Sequence, residues 1–249
     1  MRWTSADLGP VNPCEFIPIA EETGLIHTLG QWALRTAMQD AVSAFPETRI
    51  AVNVSAVQLR SPHFKSFVME ALMASGLDPR RLEIEITENV LIADDRLVLE
   101  VLNDLRRIGI RIALDDFGTG YSSLSYLQRF TFDKIKIDRS FVTSTVQGGT
   151  NGASIRAVVA LAAELDIEVV AEGIETSQQA DALLDAGCRL QQGYLYGRPL
   201  QVGLLTSPEP RQNLSIFRAA EAFPVASRPH ADFPPTLHTP ANRAAGQRL

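Results

Sequence analysis

Asn53, Glu85, Asp115, Asp116, Lys136, Glu172 and Gln192 each stand at or near the C-terminal end of a short β-like run. Successive ends are 20 to 36 residues apart, about one strand-plus-helix unit each, so the polar groups are expected on one common rim. Carboxylates and an amide carbonyl are hard oxygen donors, which favour Mg²⁺ or Mn²⁺ over zinc. The adjacent carboxylates Asp115 and Asp116 suit two ions with one bridging group, and two ions ~3.5–4 Å apart are the usual apparatus of phosphodiester hydrolysis. Lys136 adds a positive charge fit to orient a water or to stabilise a phosphate oxyanion. After the aspartate pair comes Phe117-Gly118-Thr119-Gly120-Tyr121-Ser122-Ser123. This glycine-containing turn into a helix N-terminus suits a mobile loop over an anion.

The elements that must position these groups follow from the hydrophobic pattern. Strands are expected at Ile50–Ser55, Leu82–Thr87, Ile110–Asp115, Lys134–Asp138, Glu168–Ala171 and Arg189–Gln192. Helices are expected at Cys14–Glu22, Gln31–Phe45, His63–Ser75, Ala93–Ile108, Ser122–Gln128, Ala153–Leu165 and Thr176–Ala186, several with glycine stop signals such as Gly76 and Gly187. Repeated βα units imply a parallel sheet with right-handed crossovers. In Leu82–Thr87 and Lys134–Asp138, apolar and polar residues alternate. An open doubly wound sheet favours continuous apolar runs. One apolar and one polar, chemical face suits a (β/α)₈ barrel, whose sites lie at the strand C-termini. The α/β barrel is the expected fold and the doubly wound sheet the runner-up.

Composition narrows the class. The 249 residues are 45% hydrophobic and 21% charged, globular values that exclude a wholly disordered chain. The net charge of -6 argues against a general DNA or RNA binder. No run approaches the ~18 apolar residues of a membrane span, and the first residues are no secretion signal. Two cysteines, Cys14 and Cys188, cannot form a disulfide framework, so a reducing cytoplasm is expected. His27, His63, His230 and His238 are scattered, which argues against zinc. Residues 206–249 are rich in Pro, Ala and Arg and read as a flexible tail, with a short helix at Asn213–Ala222, behind a domain over residues 1–205.

Each group also has a plain reading: a strand-end acid as a helix cap, Lys134 or Lys136 as a partner of Asp138, Tyr194 and Tyr196 as packing groups. A kinase is excluded by the absence of a G-x-G-x-x-G or H-R-D run. Co-location separates the chemical reading from the plain one, because six consecutive strands end in ligand-type residues.

These residues resemble the EAL family of bacterial cyclic-di-GMP phosphodiesterases over about residues 2 to 200. The resemblance rests on Glu15–Ile26, Val52-Asn53-Val54-Ser55, Glu83-Ile84-Glu85-Ile86-Thr87-Glu88, Asp115-Asp116-Phe117-Gly118-Thr119-Gly120-Tyr121, Lys134-Ile135-Lys136-Ile137-Asp138, Glu172-Gly173-Ile174-Glu175 and Gln192-Gly193-Tyr194. It implies an eight-stranded barrel that hydrolyses cyclic di-GMP to linear pGpG with two Mg²⁺ or Mn²⁺ ions. It implies Asn53, Glu85, Asp115 and Asp116 as metal ligands, with Asp115 bridging. Lys136 matches the lysine beside the attacking water, and Glu172 the acid that positions or activates it. Gln192 and Glu175 match supporting groups, and Glu88 the anchor of the loop Phe117–Ser123, which includes Gly118, Thr119 and Gly120. Arg2 matches a phosphate-contacting arginine, with Asp138 placed beside it on the substrate side.

One departure modifies these expectations. Aligning Arg2 puts the family's Glu-Ala-Leu run before Met1, so one metal-ligating glutamate and the first strands are expected to be missing. An incomplete barrel with impaired turnover is therefore expected, with a non-catalytic cyclic-di-GMP-binding or dimerisation module as the alternative. The expected partners are cyclic di-GMP, a second copy, and an upstream sensor or diguanylate-cyclase-type domain in a longer chain.

Overall fold

A computed structural model describes residues 1, 3–92, 96–118, 127, 130–146 and 151–205. The chain opens with a hairpin that the sequence reading did not anticipate. Strands β1 (Trp3–Ser5) and β2 (Gly9–Val11) pair antiparallel, with Trp3 opposite Val11. The Trp3 ring packs edge-on against Phe16, 5.7 Å between centroids. Phe16 lies on α1 (Pro13–Glu22), which starts where Asn12 accepts the Cys14 N–H at 3.1 Å and Pro13 occupies the first turn.

Helix α2 runs Leu25–Ala44, six residues longer at its start than expected. Gly30 lies within this added stretch, at a close contact. A Cβ at Gly30 would sit 1.8 Å from the Gln58 amide, so glycine lets α2 pack onto the segment after the first sheet strand. That strand is β3 (Ile50–Asn53), followed by α3 (Ala56–Leu59), which a Ser55/Gln58 capping box starts. Helix α4 (Phe64–Ser75), β4 (Leu82–Thr87), α5 (Asn89–Ile92), α6 (Arg96–Arg107) and β5 (Arg111–Phe117) follow. Then come β6 (Lys134–Ile137), α7 (Arg139–Val146), α8 (Asn151–Glu164), β7 (Glu168–Ala171), α9 (Ser177–Asp185), β8 (Leu190–Gln191) and α10 (Val202–Leu205). Helix α7 was not expected; its start is set by Asp138, whose carboxylate accepts the Ser140 N–H at 2.9 Å. The expected helix at Ser122–Gln128, except Leu127, and the tail at 206–249 lie outside the described residues.

The sheet is all-parallel and its spatial order, β3-β4-β5-β6-β7-β8, is the chain order. A doubly wound sheet reverses its order at a switch point, and this one does not. The six strands form an incomplete TIM-like barrel whose edges are β3 and β8.

The two faces of the sheet carry opposite physics. On the convex face, Leu82, Ile84, Ile86, Ile112, Leu114 and Ile135 are fully buried with Leu34, Met38, Val68, Leu102 and Leu105 of the covering helices. A second cluster, Ile137, Val142, Ile155, Ala171, Leu183 and Cys188, continues the core under α7 to α9. Each such side chain contributes about 1.5–3 kcal/mol, so the convex face holds the strands together. The concave face is charged yet also buried: Glu83, Glu85, Asp115 and Lys136 are only 2 to 8% exposed. The polar side of the alternation thus lines an interior rather than open solvent.

Candidate active site on the concave face

Two ionic layers cross this face. In the lower one, toward the strand N-termini, Glu83 accepts from Lys134 Nζ at 2.5 Å and from Arg111 Nε at 3.3 Å, and Arg111 also pairs with Glu168. Two carboxylates meet two cations, and the layer is neutral. In the upper layer, Lys136 Nζ lies 2.9 Å from Glu85, 3.2 Å from Asp115 and 2.8 Å from Glu172. Three carboxylates, from β4, β5 and the residue after β7, face one ammonium, so the upper layer holds excess negative charge in a largely buried site.

Local structure explains each placement. Asn53 ends β3 in register with Glu85 and is exposed at the sheet edge. Thr87 of β4 is opposite Asp115. The ladder between β5 and β6 slips between Leu114 and Phe117, and Asp116, within the slip, has φ 56°. A non-glycine residue with positive φ is uncommon and stores strain; here the bulge sets two adjacent acids on the rim. The Asp116 N–H donates to Asp115 Oδ1 at 3.0 Å.

Glu172 follows β7, its N–H donating to the Ile137 carbonyl at 3.0 Å. Gly173 then turns with φ +69°, and a Cβ there would meet the Arg139 side chain at 2.6 Å. The turn separates the two glutamates of this motif. Glu172 joins Lys136, whereas Glu175 is exposed and pairs outward with Arg139 at 3.0 Å. Gln192 is exposed beyond β8; its N–H donates to the Ala171 carbonyl at 2.8 Å and its carbonyl accepts from Ile174. The neighbouring Gln191 points elsewhere, with its amide on the Ala180 carbonyl and Tyr196.

The structure therefore gathers Glu85, Asp115, Lys136 and Glu172, with Asp116 adjoining, and does not bring Asn53, Gln192 or Glu175 into that ion-pair cluster. Asp138 caps α7 through its carboxylate. Glu88 is buried just after β4, where its carbonyl accepts the Leu91 N–H. Phe117 is buried in register with Ile137, and Gly118 lies against the Phe141 ring. Arg2, Thr119 and Gly120 lie outside the described residues. Sequence reasoning missed the lower layer. Its signal was present in the alternation of Glu83 with Glu85 and of Lys134 with Lys136.

Burial raises Glu85 and Glu172 above the ordinary carboxylate value, with Lys136 partly offsetting it. Asp116 is raised by burial, then by Asp115 and Asp138. For Lys136, burial is the largest influence and pulls downward, but Glu85, Asp115 and Glu172 together outweigh it and keep the amine charged. The donor set fits a hard divalent cation: three carboxylates already enclose one cationic centre within 3.2 Å, and that centre is the lysine ammonium. Among the described residues, no group of three or more His, Cys, Asp and Glu is arranged to hold a metal ion as it stands; Glu85, Asp115 and Glu172 converge on the ammonium instead.

The comparisons agree with this architecture. The EAL domain model matches residues 1–199. An uncharacterized signaling protein of Caulobacter vibrioides is 49% identical over 206 residues, which are 83% of this chain and 26% of that protein. The bifunctional diguanylate cyclase/cyclic di-GMP phosphodiesterase MucR of Pseudomonas aeruginosa is 38% identical over 80% of this chain and 30% of its own length. The chain thus spans between a quarter and a third of these relatives. The structure of the PaMucR phosphodiesterase in complex with c-di-GMP superposes with a TM-score of 0.77 at 38% identity, covering 82% of this chain and 84% of that one. A manganese/cy-diGMP complex of Klebsiella pneumoniae BlrP1 superposes at 0.68 and 36% identity, covering 77% of this chain and 49% of that one. The order of the strands, the charged concave face and the match over 199 residues place this chain in the EAL domain family.

Proposed function

We propose that the domain hydrolyses cyclic di-GMP to linear pGpG. The observation that carries this reading is the charge imbalance between the two layers. The lower is neutral, whereas the upper, at the strand ends where barrel enzymes do chemistry, holds three carboxylates around one ammonium. Solved relatives that bind cyclic di-GMP, one of them with manganese, support it.

Asn53, Glu85, Asp115 and Asp116 are the residues that would hold two Mg²⁺ or Mn²⁺ ions, which supply Lewis-acid polarisation at a phosphodiester. Glu172, raised by burial, is placed to accept the proton of the attacking water. The Lys136 ammonium, movable on its flexible stem, supplies positive charge for the developing oxyanion in a site where water screens little. Gln192 and Glu175 would support this rim, Glu88 would anchor the loop that begins at Phe117 and Gly118, and Asp138 and Arg2 are the residues proposed to contact substrate. Free Cys14 and Cys188 accord with a cytoplasmic setting, and no helix of the described residues is long and apolar enough to cross a membrane. A second copy and an upstream sensory or cyclase-type domain are the partners this reading proposes, the matched region being 26% and 30% of the two relatives.

The test is incubation of the 249-residue chain with cyclic di-GMP and Mg²⁺ or Mn²⁺, with chromatography for pGpG. Metal-dependent pGpG that disappears with EDTA is expected. Saturable nucleotide binding by folded protein without any pGpG would replace the enzyme with a binding module.

A further inference from the structure

Lysine is rare in this chain. Of 23 basic residues only Lys65, Lys134 and Lys136 are lysines, and two of them lie on the single strand β6. Arginine serves nearly everywhere else, so the lysine at 136 is no reflection of a general preference. The two residue types differ physically. Guanidinium is a broad planar fork, whereas the ammonium is a compact point charge on a flexible stem. Lys136 places that point charge where Glu85, Asp115 and Glu172 converge, at 2.9, 3.2 and 2.8 Å, with its side chain only 7% exposed. Three converging carboxylates, Glu85 and Asp115 buried and Glu172 half-buried, would repel strongly without a cation among them. Lys134 offers the internal contrast: its partner Glu83 also has Arg111, that layer is neutral, and nothing calls for a further cation.

We propose that Lys136 is the built-in counter-ion of the metal site. Its ammonium holds the carboxylates together in the metal-free protein and must withdraw from their point of convergence when a divalent cation binds. This rests on the reading of Glu85 and Asp115 as metal ligands and adds a competition inside the site. Metal affinity is set below what the carboxylates alone would give, and the metal-free site stays assembled instead of splaying apart.

The presence of three lysines makes a direct test practical. The 249-residue chain is labelled with lysine ¹³Cε, the Lys136 signal is assigned with Lys136→Met, and Mg²⁺ is titrated in. The Lys136 signal should shift saturably while those of Lys65 and Lys134 stay in place. A Lys136 signal that does not move at Mg²⁺ levels that saturate the protein by calorimetry overturns the proposal, as does absence of Mg²⁺ binding. Thermal unfolding provides the second arm. In EDTA, Lys136→Met should melt several degrees below the parent, and saturating Mn²⁺ should raise its midpoint more than the parent's, with a dissociation constant about tenfold tighter. Lys65→Met, which removes an exposed pair with Asp104, should behave as the parent. If Lys136→Met folds only with Mn²⁺ present, the proposal stands; equal metal-induced shifts in variant and parent, or no rescue by Mn²⁺, refute it. Neither arm uses substrate, so a shifting Lys136 without pGpG would reject the phosphodiesterase and leave this inference intact.

Discussion

Lys136 on β6 reaches Glu85 on β4 at 2.9 Å, although β5 runs between them. Alternate strands are about 9.6 Å apart, twice the ~4.8 Å spacing of neighbours. Two long side chains close that gap over Ala113, the fully buried β5 residue in register with Glu85 and with Lys134. A larger residue at 113 would stand in the way.

Ala113→Leu is therefore expected to separate Lys136 from Glu85 and overpack the concave face. The expected destabilisation is about 1–3 kcal/mol. Denaturant unfolding should show it, together with weaker Mn²⁺ binding by calorimetry. Unchanged stability and unchanged metal affinity would mean that Ala113 is not the spacer.

Asp116 combines a functional position with left-handed backbone, so the two contributions can be separated. Asp116→Ala and Asp116→Gly should both abolish pGpG formation. The glycine variant should be the more stable by about 1 kcal/mol, since only glycine occupies φ 56° without strain. Equal melting points for the two variants would contradict strain at this residue.

Removing one member of the lower layer should damage folding more than chemistry. Glu83→Ala leaves Arg111 and Lys134 without their shared carboxylate, and breaking a buried pair costs about 3–5 kcal/mol. The variant's urea midpoint should fall sharply, while turnover per folded molecule changes less than in Glu85→Ala. The reverse order of effects would assign Glu83 to the chemistry.

Stability of the metal-free protein should depend on pH in an unusual sense. Glu85, Glu172 and Asp116 are raised in the folded state, mainly by burial, so the folded chain binds protons more tightly than the unfolded one. Their contribution to stability grows as pH falls through the raised values toward the ordinary 4.5 of glutamate and 3.8 of aspartate. Asp78 and Asp104, lowered chiefly by hydrogen bonds from Arg80 and Lys65, act oppositely, losing stability only as pH falls below 3.8. In EDTA the melting temperature should therefore hold or rise from neutral pH toward 5. Glu172→Gln should flatten that dependence. A steep fall over this range in the parent would contradict the raised values.

Much of this protein was legible along the chain. The period-two alternation of Leu82–Thr87 and Lys134–Ile137, the glycine stops and the strand-end acids are local signals, written within one element each. They were sufficient for the barrel class, for six parallel strands, and for the rim that carries Glu85, Asp115, Asp116, Lys136 and Glu172. Boundaries were less legible, because α2 begins at Leu25 and keeps Gly30 where Gln58 packs over it, and because Asp138 starts a helix that β-branched residues disguise. Convergence itself was decided by tertiary structure. Which carboxylates meet Lys136, that Glu175 turns outward while Glu172 turns in, and that a second, neutral layer lies beneath all depend on strand register, on the slip at Asp116, on the turn at Gly173 and on the small residue at 113. Periodicity tells each residue which face it occupies. Only pairing across several strands sets how far apart two charges on that face will be, and at these distances an ångström decides the electrostatics.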